Sequence, residues 1–411
     1  MNNLIKITFF VFLLSCGEEI NYENNIKADL MFLADDKLEG RKTGTKGEKL
    51  AAEYISERFE KLNLSDKGTE NYFQDFYFSN STNPHEEIEF NKTEDKNEIH
   101  ARNVVGFLDN GGENTIVIGA HYDHLGYGEE SSLYFGDDVL IHNGADDNAS
   151  GTSLLLDLAN RLAAKNLKSN YLFIAFSGEE MGLLGSNYFL KNPTVSKDEI
   201  NYMINMDMVG RLNEENKLSV SGVGSAKIFK QIINSNNSQF NLVEFGSSSG
   251  FGSSDHASFY YEDIPVLSFF TGQHEDYHKP SDDSDKINFE GIEKISDYIE
   301  DIIEELDSAE KLDFIKAEEA KNATPRFKVG LGVMPDYLYD EGGMKISAIT
   351  SDEKPAGKAG LQKNDIVIKM GDINVIDMMS YMNALSTFKE GDTTIIQIKR
   401  EGKILDFTIK F

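Results

Sequence analysis

Cysteine is nearly absent: Cys16 is the single thiol in 411 residues. No disulfide can form within the chain. Positive charge is also short, with 40 Lys and Arg against 70 Asp and Glu and a formal net charge of −30. Phosphate backbones are held by basic surface, so nucleic acid is excluded as a partner. The surplus of carboxylates suits either of two ends. It keeps a secreted protein soluble, or it lines an acidic cleft that draws in a substrate's cationic end. Beyond the N-terminal residues no apolar run approaches the roughly 20 residues needed to cross a bilayer. Length is ample by contrast, and 411 residues allow two or more domains with sizeable cores.

The N-terminus reads as a processing segment. Met1–Lys6 carries one lysine, Ile7–Leu14 is apolar, and Leu13-Leu14-Ser15-Cys16 follows. Residues 1–15 are expected to be a secretory signal, too short to span a membrane. The segment resembles a bacterial lipoprotein signal. That resemblance implies lipidation of Cys16 as the first mature residue, with residues 16–25 as a polar tether. It implies the bacterial cell envelope as location, and Gly17 in place of aspartate leans towards the outer membrane.

Helical patterning over residues 26–64 is broken by Leu38-Glu39-Gly40-Arg41-Lys42-Thr43-Gly44-Thr45. After that turn, Leu50, Ala51, Tyr54, Ile55, Phe59 and Leu62 recur at helical spacing within Glu48–Leu62. Tyr72–Phe78, Asn103–Leu108, Thr115–Ala120, Tyr171–Phe176, Asn201–Met206 and Ile264–Phe270 read as strands. Thr152–Ala164, Ser225–Asn234 and Phe289–Leu306 read as helices. Strands alternating with helices predict an α/β layered fold, whose sites lie at the carboxyl ends of strands. The first domain is expected over 26–310, a linker over 311–325 and a second domain over 326–411. There, short strands and glycine turns replace the earlier alternation.

Five separated motifs in the first domain carry metal-ligand chemistry. His121 stands in H-Y-D-H-L-G after an apolar strand, with Asp123 placed to orient its ring. His124 is expected to support the site more than to ligate. In G-A-D-D-N-A-S-G, Asp147 is the choice for a carboxylate shared by two metals, with Asp146 as alternative. Glu179 and Glu180 follow a buried strand in F-S-G-E-E; one is suited to bind metal and its neighbour to move a proton. Asp207 in N-M-D interrupts an apolar run, and a charge there needs a partner. His278 lies in Y-H-K-P-S-D-D. Two histidines and three carboxylates exceed one open zinc site and suit two metals sharing a ligand. The glycine- and serine-rich stretch 246–254, ahead of Asp255-His256, is a candidate pocket rim. His256 and His274 read as structural.

Together these motifs resemble the M28 family of zinc metallopeptidases, which includes bacterial aminopeptidases. The resemblance covers residues 26–308. It implies a mixed β-sheet flanked by helices, of zinc-exopeptidase type, and two Zn2+ per chain. His121, Asp147 and Asp207 would hold one ion; Asp147, Glu180 and His278 would hold the other. It makes Glu179 the general acid/base and Asp123 the group that orients His121. It further implies a cis peptide between Asp147 and Asn148. Residues 326–411 resemble a PDZ domain, in which Gly330, Leu331, Gly332 and Val333 would capture a peptide C-terminus. Asn364 stands where glycine is more usual. The expected activity is removal of N-terminal residues from peptide or protein substrates at a lipid-anchored, dinuclear zinc site. A glutaminyl cyclase-like enzyme and a non-catalytic peptide-binding protein on the same fold are the alternatives. The intact ligand set speaks against both.

Overall fold

Side-chain caps start the first two helices. Asn25 accepts from the Ala28 amide at 2.8 Å ahead of α1 (Ile26–Leu33), and Thr45 caps α2 (Lys46–Lys61). The sequence then supplies β1 (Ser65–Asp66), β2 (Phe73–Ser79), β3 (Glu98–Leu108), β4 (Thr115–His121), α3 (Gly151–Ala163) and β5 (Asn170–Phe176). It continues with α4 (Leu184–Lys191), β6 (Ile200–Met206), β7 (Lys217–Ser221), α5 (Phe229–Asn236), β8 (Asn241–Val243), α6 (His256–Tyr261), β9 (Val266–Phe270) and α7 (Phe289–Leu306). This computed structural model describes residues 25–79, 88–90, 92, 98–243, 249–307, 309–316, 329–336, 338–339 and 341–411. The expected signal segment, Cys16 and the tether up to residue 24 lie outside them.

These strands form one mixed sheet in the order β1-β3-β5-β4-β6-β9-β7-β8, with β2 paired to β3. The central β5-β4-β6-β9 run is parallel, and β3 and β7 flank it antiparallel. Every residue of β4 and β6 is buried, as expected of strands covered on both faces. One face packs on α1, α2, α3, α5 and α7. The other is covered by α4 and α6. α7 turns Ile292, Ile295, Ile299, Ile302, Ile303 and Leu306 onto the sheet, an apolar stripe at helical spacing.

Two boundaries differ from expectation. The helix expected from Ser225 starts at Phe229, because Val223–Ser225 is spent on a 3₁₀ turn. The linker expected at 311–325 begins with a fastened stretch. The Leu312 amide donates to Asn201 Oδ1 at 2.7 Å, the Ile315 amide donates to the Ser225 carbonyl at 2.8 Å, and Phe314 meets Tyr260 edge to face.

The second domain is a small antiparallel sheet with its own core. It comprises β10 (Val333–Pro335), β11 (Met344–Ile349), α8 (Pro355–Ala359), β12 (Ile366–Met370), β13 (Ile373–Asn374), α9 (Met378–Ser386), β14 (Thr393–Arg400) and β15 (Lys403–Lys410). Asn364 has φ +70°, a left-handed conformation that asparagine tolerates, so it does the work of the more usual glycine. Among the described residues no helix is long and apolar enough to cross a membrane.

Candidate metal centre

Strand ends deliver the candidate ligands. His121 is the last residue of β4, Glu179 and Glu180 follow β5, and Asp207 follows β6. Asp147 arrives from the Gly144–Gly151 turn, where its peptide bond to Asn148 is cis. Asn148 ties that turn to the end of β6: its amide donates to the Met206 carbonyl at 3.0 Å, and its Oδ1 accepts from Met208 at 3.1 Å. Asp282, fully buried, accepts the amides of Asp146 and Asp147 at 2.9 and 3.1 Å.

Asp147 faces two groups at once. Its Oδ1 is 3.4 Å from His121 Nε2, which is also 3.4 Å from Asp207 Oδ1. Its Oδ2 is 3.2 Å from His278 Nε2, which is 3.2 Å from Glu180 Oε2. Ligands about 2.1 Å from a tetrahedral zinc stand roughly 3.4 Å apart, so both clusters have the right size. The His278 ring engages the Ser131 carbonyl through Nδ1 at 2.9 Å, leaving Nε2 without a protein hydrogen bond. That is how a ligating histidine is oriented. His124 also approaches Asp147 and Glu180, but its Nδ1 is engaged by Glu180 Oε1 at 2.8 Å. His124, Asp147 and Glu180 thus form a second group that could hold a metal ion, with His124 Nδ1 at 2.8 Å from Glu180 and 3.9 Å from Asp147, whereas His278 Nε2 faces both carboxylates at equal distance.

Electrostatics separate the adjacent glutamates. Burial pushes Glu179 well above the usual carboxylate range, and the opposing pull of His121 does not restore it. Burial acts on Glu180 too, yet His278 and His124 hold it well below that range. A pair driven apart in this way has one proton carrier and one permanent anion. Burial opposes a charge on His278 as well, but Glu180 and Asp147 hold it up to about 11. The same negative potential attracts a divalent cation.

The turn after α1 braces the centre. Arg41 is fully buried and donates to the carbonyls of Tyr122 at 2.8 Å, Asn143 at 2.6 Å, Gly144 at 3.0 Å and Leu33. Thr43 Oγ1 donates to Asp123 Oδ2 at 2.9 Å; the other carboxylate oxygen of Asp123 accepts the Glu179 amide at 3.2 Å and lies 3.6 Å from His121 Nδ1. The His121 ring itself is engaged through Nδ1 by the backbone carbonyl of Asp123 at 3.2 Å. Glu48 accepts from Ser177, Tyr122 and Gly44, and burial pushes it up to about 7.

Asp146, the alternative read from the sequence, is engaged elsewhere: it accepts the Gly210 amide at 2.6 Å and pairs with His274 at 3.1 Å. His256 is not fully accounted for by a structural reading, since it lines the cavity. The roles of Arg41, Thr43, Glu48 and Asp282 were not read from the sequence. The signal for Arg41 and Thr43 was the charged, glycine-broken stretch Leu38–Thr45, and for Asp282 the S-D-D after His278. A cavity of about 430 Å³ opens over the centre, lined by Leu183, Met208, Ser221, Gly252, Ser253, Phe270 and Gln273 beside the ligands. The expected 246–254 rim therefore contributes Gly252, Ser253 and Ser254; residues 244–248 lie outside the described residues. Gly330, Leu331, Gly332 and Val333 belong to the second domain, where Leu331 is buried in its core.

Residues 103–303 match the model of peptidase family M28, and residues 329–411 match the PDZ domain. The chain carries an M28 peptidase domain. Aminopeptidase YwaD of Bacillus subtilis is 32% identical over 187 residues, 43% of this chain and 40% of that protein. The chain thus spans less than half the length of that relative. The zinc aminopeptidase BSAP from Bacillus subtilis shares the fold at TM-score 0.52 and 19% identity, covering 71% of this chain and 98% of its own. A glutaminyl cyclase from Bacteroides thetaiotaomicron does so at TM-score 0.54 and 17% identity, covering 68% and 96%. The fold of the M28 domain is common to both chemistries, so activity must be argued from the site.

Proposed function

We propose that the protein is a dinuclear zinc aminopeptidase of the cell envelope. The observation that carries this is Asp147, whose two oxygens face a His121/Asp207 cluster and a Glu180/His278 cluster at 3.2–3.4 Å. The donor set is imidazole and carboxylate without thiolate, which suits zinc at a catalytic centre. Bound there, zinc would polarise the scissile carbonyl and make water a nucleophile at neutral pH. Glu179, with its raised pKa, accepts the proton of the attacking water and returns it to the leaving amine. Asp123 keeps the His121 ring facing Asp147 and Asp207. The carboxylates around the cavity attract the substrate's α-ammonium group.

Anchoring through Cys16 and an outer-membrane location belong to the same proposal and rest on the Leu13–Cys16 sequence alone. A Cys16→Ala protein that stays in the membrane fraction after a salt wash would contradict them. For the activity, elemental analysis of the purified protein should approach two zinc ions per chain, and aminoacyl substrates should be cleaved while N-blocked ones are not. Full activity with a single ion, insensitive to His121→Ala, would rule out the dinuclear assignment.

A further inference from the structure

The sheet face under α4 and α6 changes character at the cavity. Met203 of β6 and Val266 of β9 are register partners in the apolar core. Two residues on, the same face carries Asn205 paired with Ser268, and Ser268 pairs in turn with Ser221 of β7. Three neighbouring strands thus end in an amide and two hydroxyls where aliphatic side chains would complete a core. None is more than 6% exposed. Ser254 and His256 join them from the loop and from α6. Asn205 Nδ2 donates to Ser254 Oγ at 2.9 Å and reaches Ser268 Oγ at 3.5 Å. Ser221, Ser254, His256 and Ser268 line the cavity beside Asp207.

Several polar atoms of this wall have no hydrogen-bond partner. They are Asn205 Oδ1, both ring nitrogens of His256, and Gln273 Oε1 across the cavity. His256 is 5% exposed, and burial holds its pKa down to about 4, so the ring is neutral and offers one donor and one acceptor. Buried polar groups need partners. A side chain seated here must offer hydrogen bonds, because an aliphatic one leaves several groups unpaired at a cost for each. A carboxylate tip would meet Asp207 and Glu179. An ammonium tip has no counter-charge among the five wall residues, and the nearest cavity carboxylates, Asp207 and Glu179, are the ones this reading gives to the metal and to the reaction's proton.

We infer that the wall formed by Asn205, Ser221, Ser254, His256 and Ser268 is a subsite for an uncharged hydrogen-bonding side chain, the carboxamide of an N-terminal asparagine or glutamine. Leu183, Met208 and Phe270 pack on its methylene stem. The inference rests on the aminopeptidase reading and narrows it to a class of substrate.

The test is calorimetric binding of amino-acid hydroxamates to the zinc-loaded full chain. These ligands share one metal-binding head, so affinity differences report the side chain. Asparagine against leucine and glutamine against methionine are matched in size. The amide member of each pair should bind at least about 10-fold tighter. Ser221→Ala and Ser268→Ala should each shrink that ratio. Leucine and methionine binding as tightly as their partners, or lysine hydroxamate binding tightest, would overturn the subsite while leaving the aminopeptidase reading intact. Ratios unchanged in both variants would overturn the assignment to this wall. Failure of every hydroxamate to bind the loaded protein would overturn the aminopeptidase reading and the subsite with it.

Discussion

At the residue scale the decisive contrast is between Glu179 and Glu180, neighbours with opposite electrostatic fates. Glu180 is engaged by His124 and His278 at 2.8 and 3.2 Å. Glu179 is held through its backbone: its amide donates to Asp123 Oδ1, and its carbonyl accepts from the amides of Gly182 and Leu183. Glu179→Gln should retain its metal and lower kcat by about 10² to 10⁴, the usual loss for a general acid/base. Glu180→Gln should instead weaken metal retention in a chelator competition. The reverse outcome would exchange their roles. Glu48 gives a stability prediction. Its folded pKa of about 7 lies above the ordinary 4.5, so the folded state retains a proton that the unfolded chain releases. Its contribution is present in full below pH 4.5 and is lost as pH rises to about 7, on the order of 3 kcal/mol. In metal-free protein, Glu48→Gln should flatten that part of the stability–pH curve, as measured by urea denaturation at pH 5 and pH 8. A curve of unchanged slope would show that Glu48 titrates normally.

At the scale of elements, much of the first domain was legible because its long elements are strongly patterned. Phe289–Leu306 coincides with α7, and each of the six expected strands lies on an observed one. The ligands were legible for a related reason: a charge at the end of an apolar strand is conspicuous, as at His121 and Asp207. The short elements were not legible. β7, β8, α4 and α6 have 5, 3, 8 and 6 residues, too few for periodicity to separate strand from helix. The bracing role of Leu38–Thr45 was hidden for another reason. Arg41 acts on carbonyls at positions 33, 122, 143 and 144, which only the tertiary fold brings together. This turn lies ahead of the stretch matched to the peptidase family, yet the strand-end loops depend on it. Arg41→Lys keeps the charge but loses the planar fork that serves several carbonyls at once. It should cost about 2–4 kcal/mol in urea denaturation, judged by hydrogen bonds to a charged group, and should weaken zinc retention. A loss under 1 kcal/mol would mean that the turn is fastened elsewhere.

At the scale of the whole molecule, two separate cores meet through little that is apolar. Among the described residues, the fourteen buried residues of the PDZ core all lie between Leu331 and Ile409, and none belongs to the peptidase core. Separate cores fold separately as a rule. The second domain also carries no histidine or cysteine, so it brings no imidazole or thiolate to the metals. It does touch the catalytic side: Leu338, between β10 and β11, packs over Gly272, so closely that a Cβ there would lie 2.5 Å from Leu338 Cδ1. Gly272 adjoins Gln273, which lines the cavity, so this contact lies beside the substrate's path. A peptide held by its C-terminal end on the PDZ domain while its N-terminus reaches the zinc site gains effective concentration, not chemistry. Truncation after Lys321 should therefore preserve cleavage of small aminoacyl substrates and lower kcat/KM for longer peptides by on the order of 10-fold or more. Leu338→Ala in the full chain should show a weaker form of the same split, since it loosens the contact and leaves both cores intact. Equal losses on short and long substrates, with circular dichroism showing a folded peptidase domain, would mean that the PDZ domain supports the metal centre itself. No loss on either would leave it a docking module unrelated to the substrate.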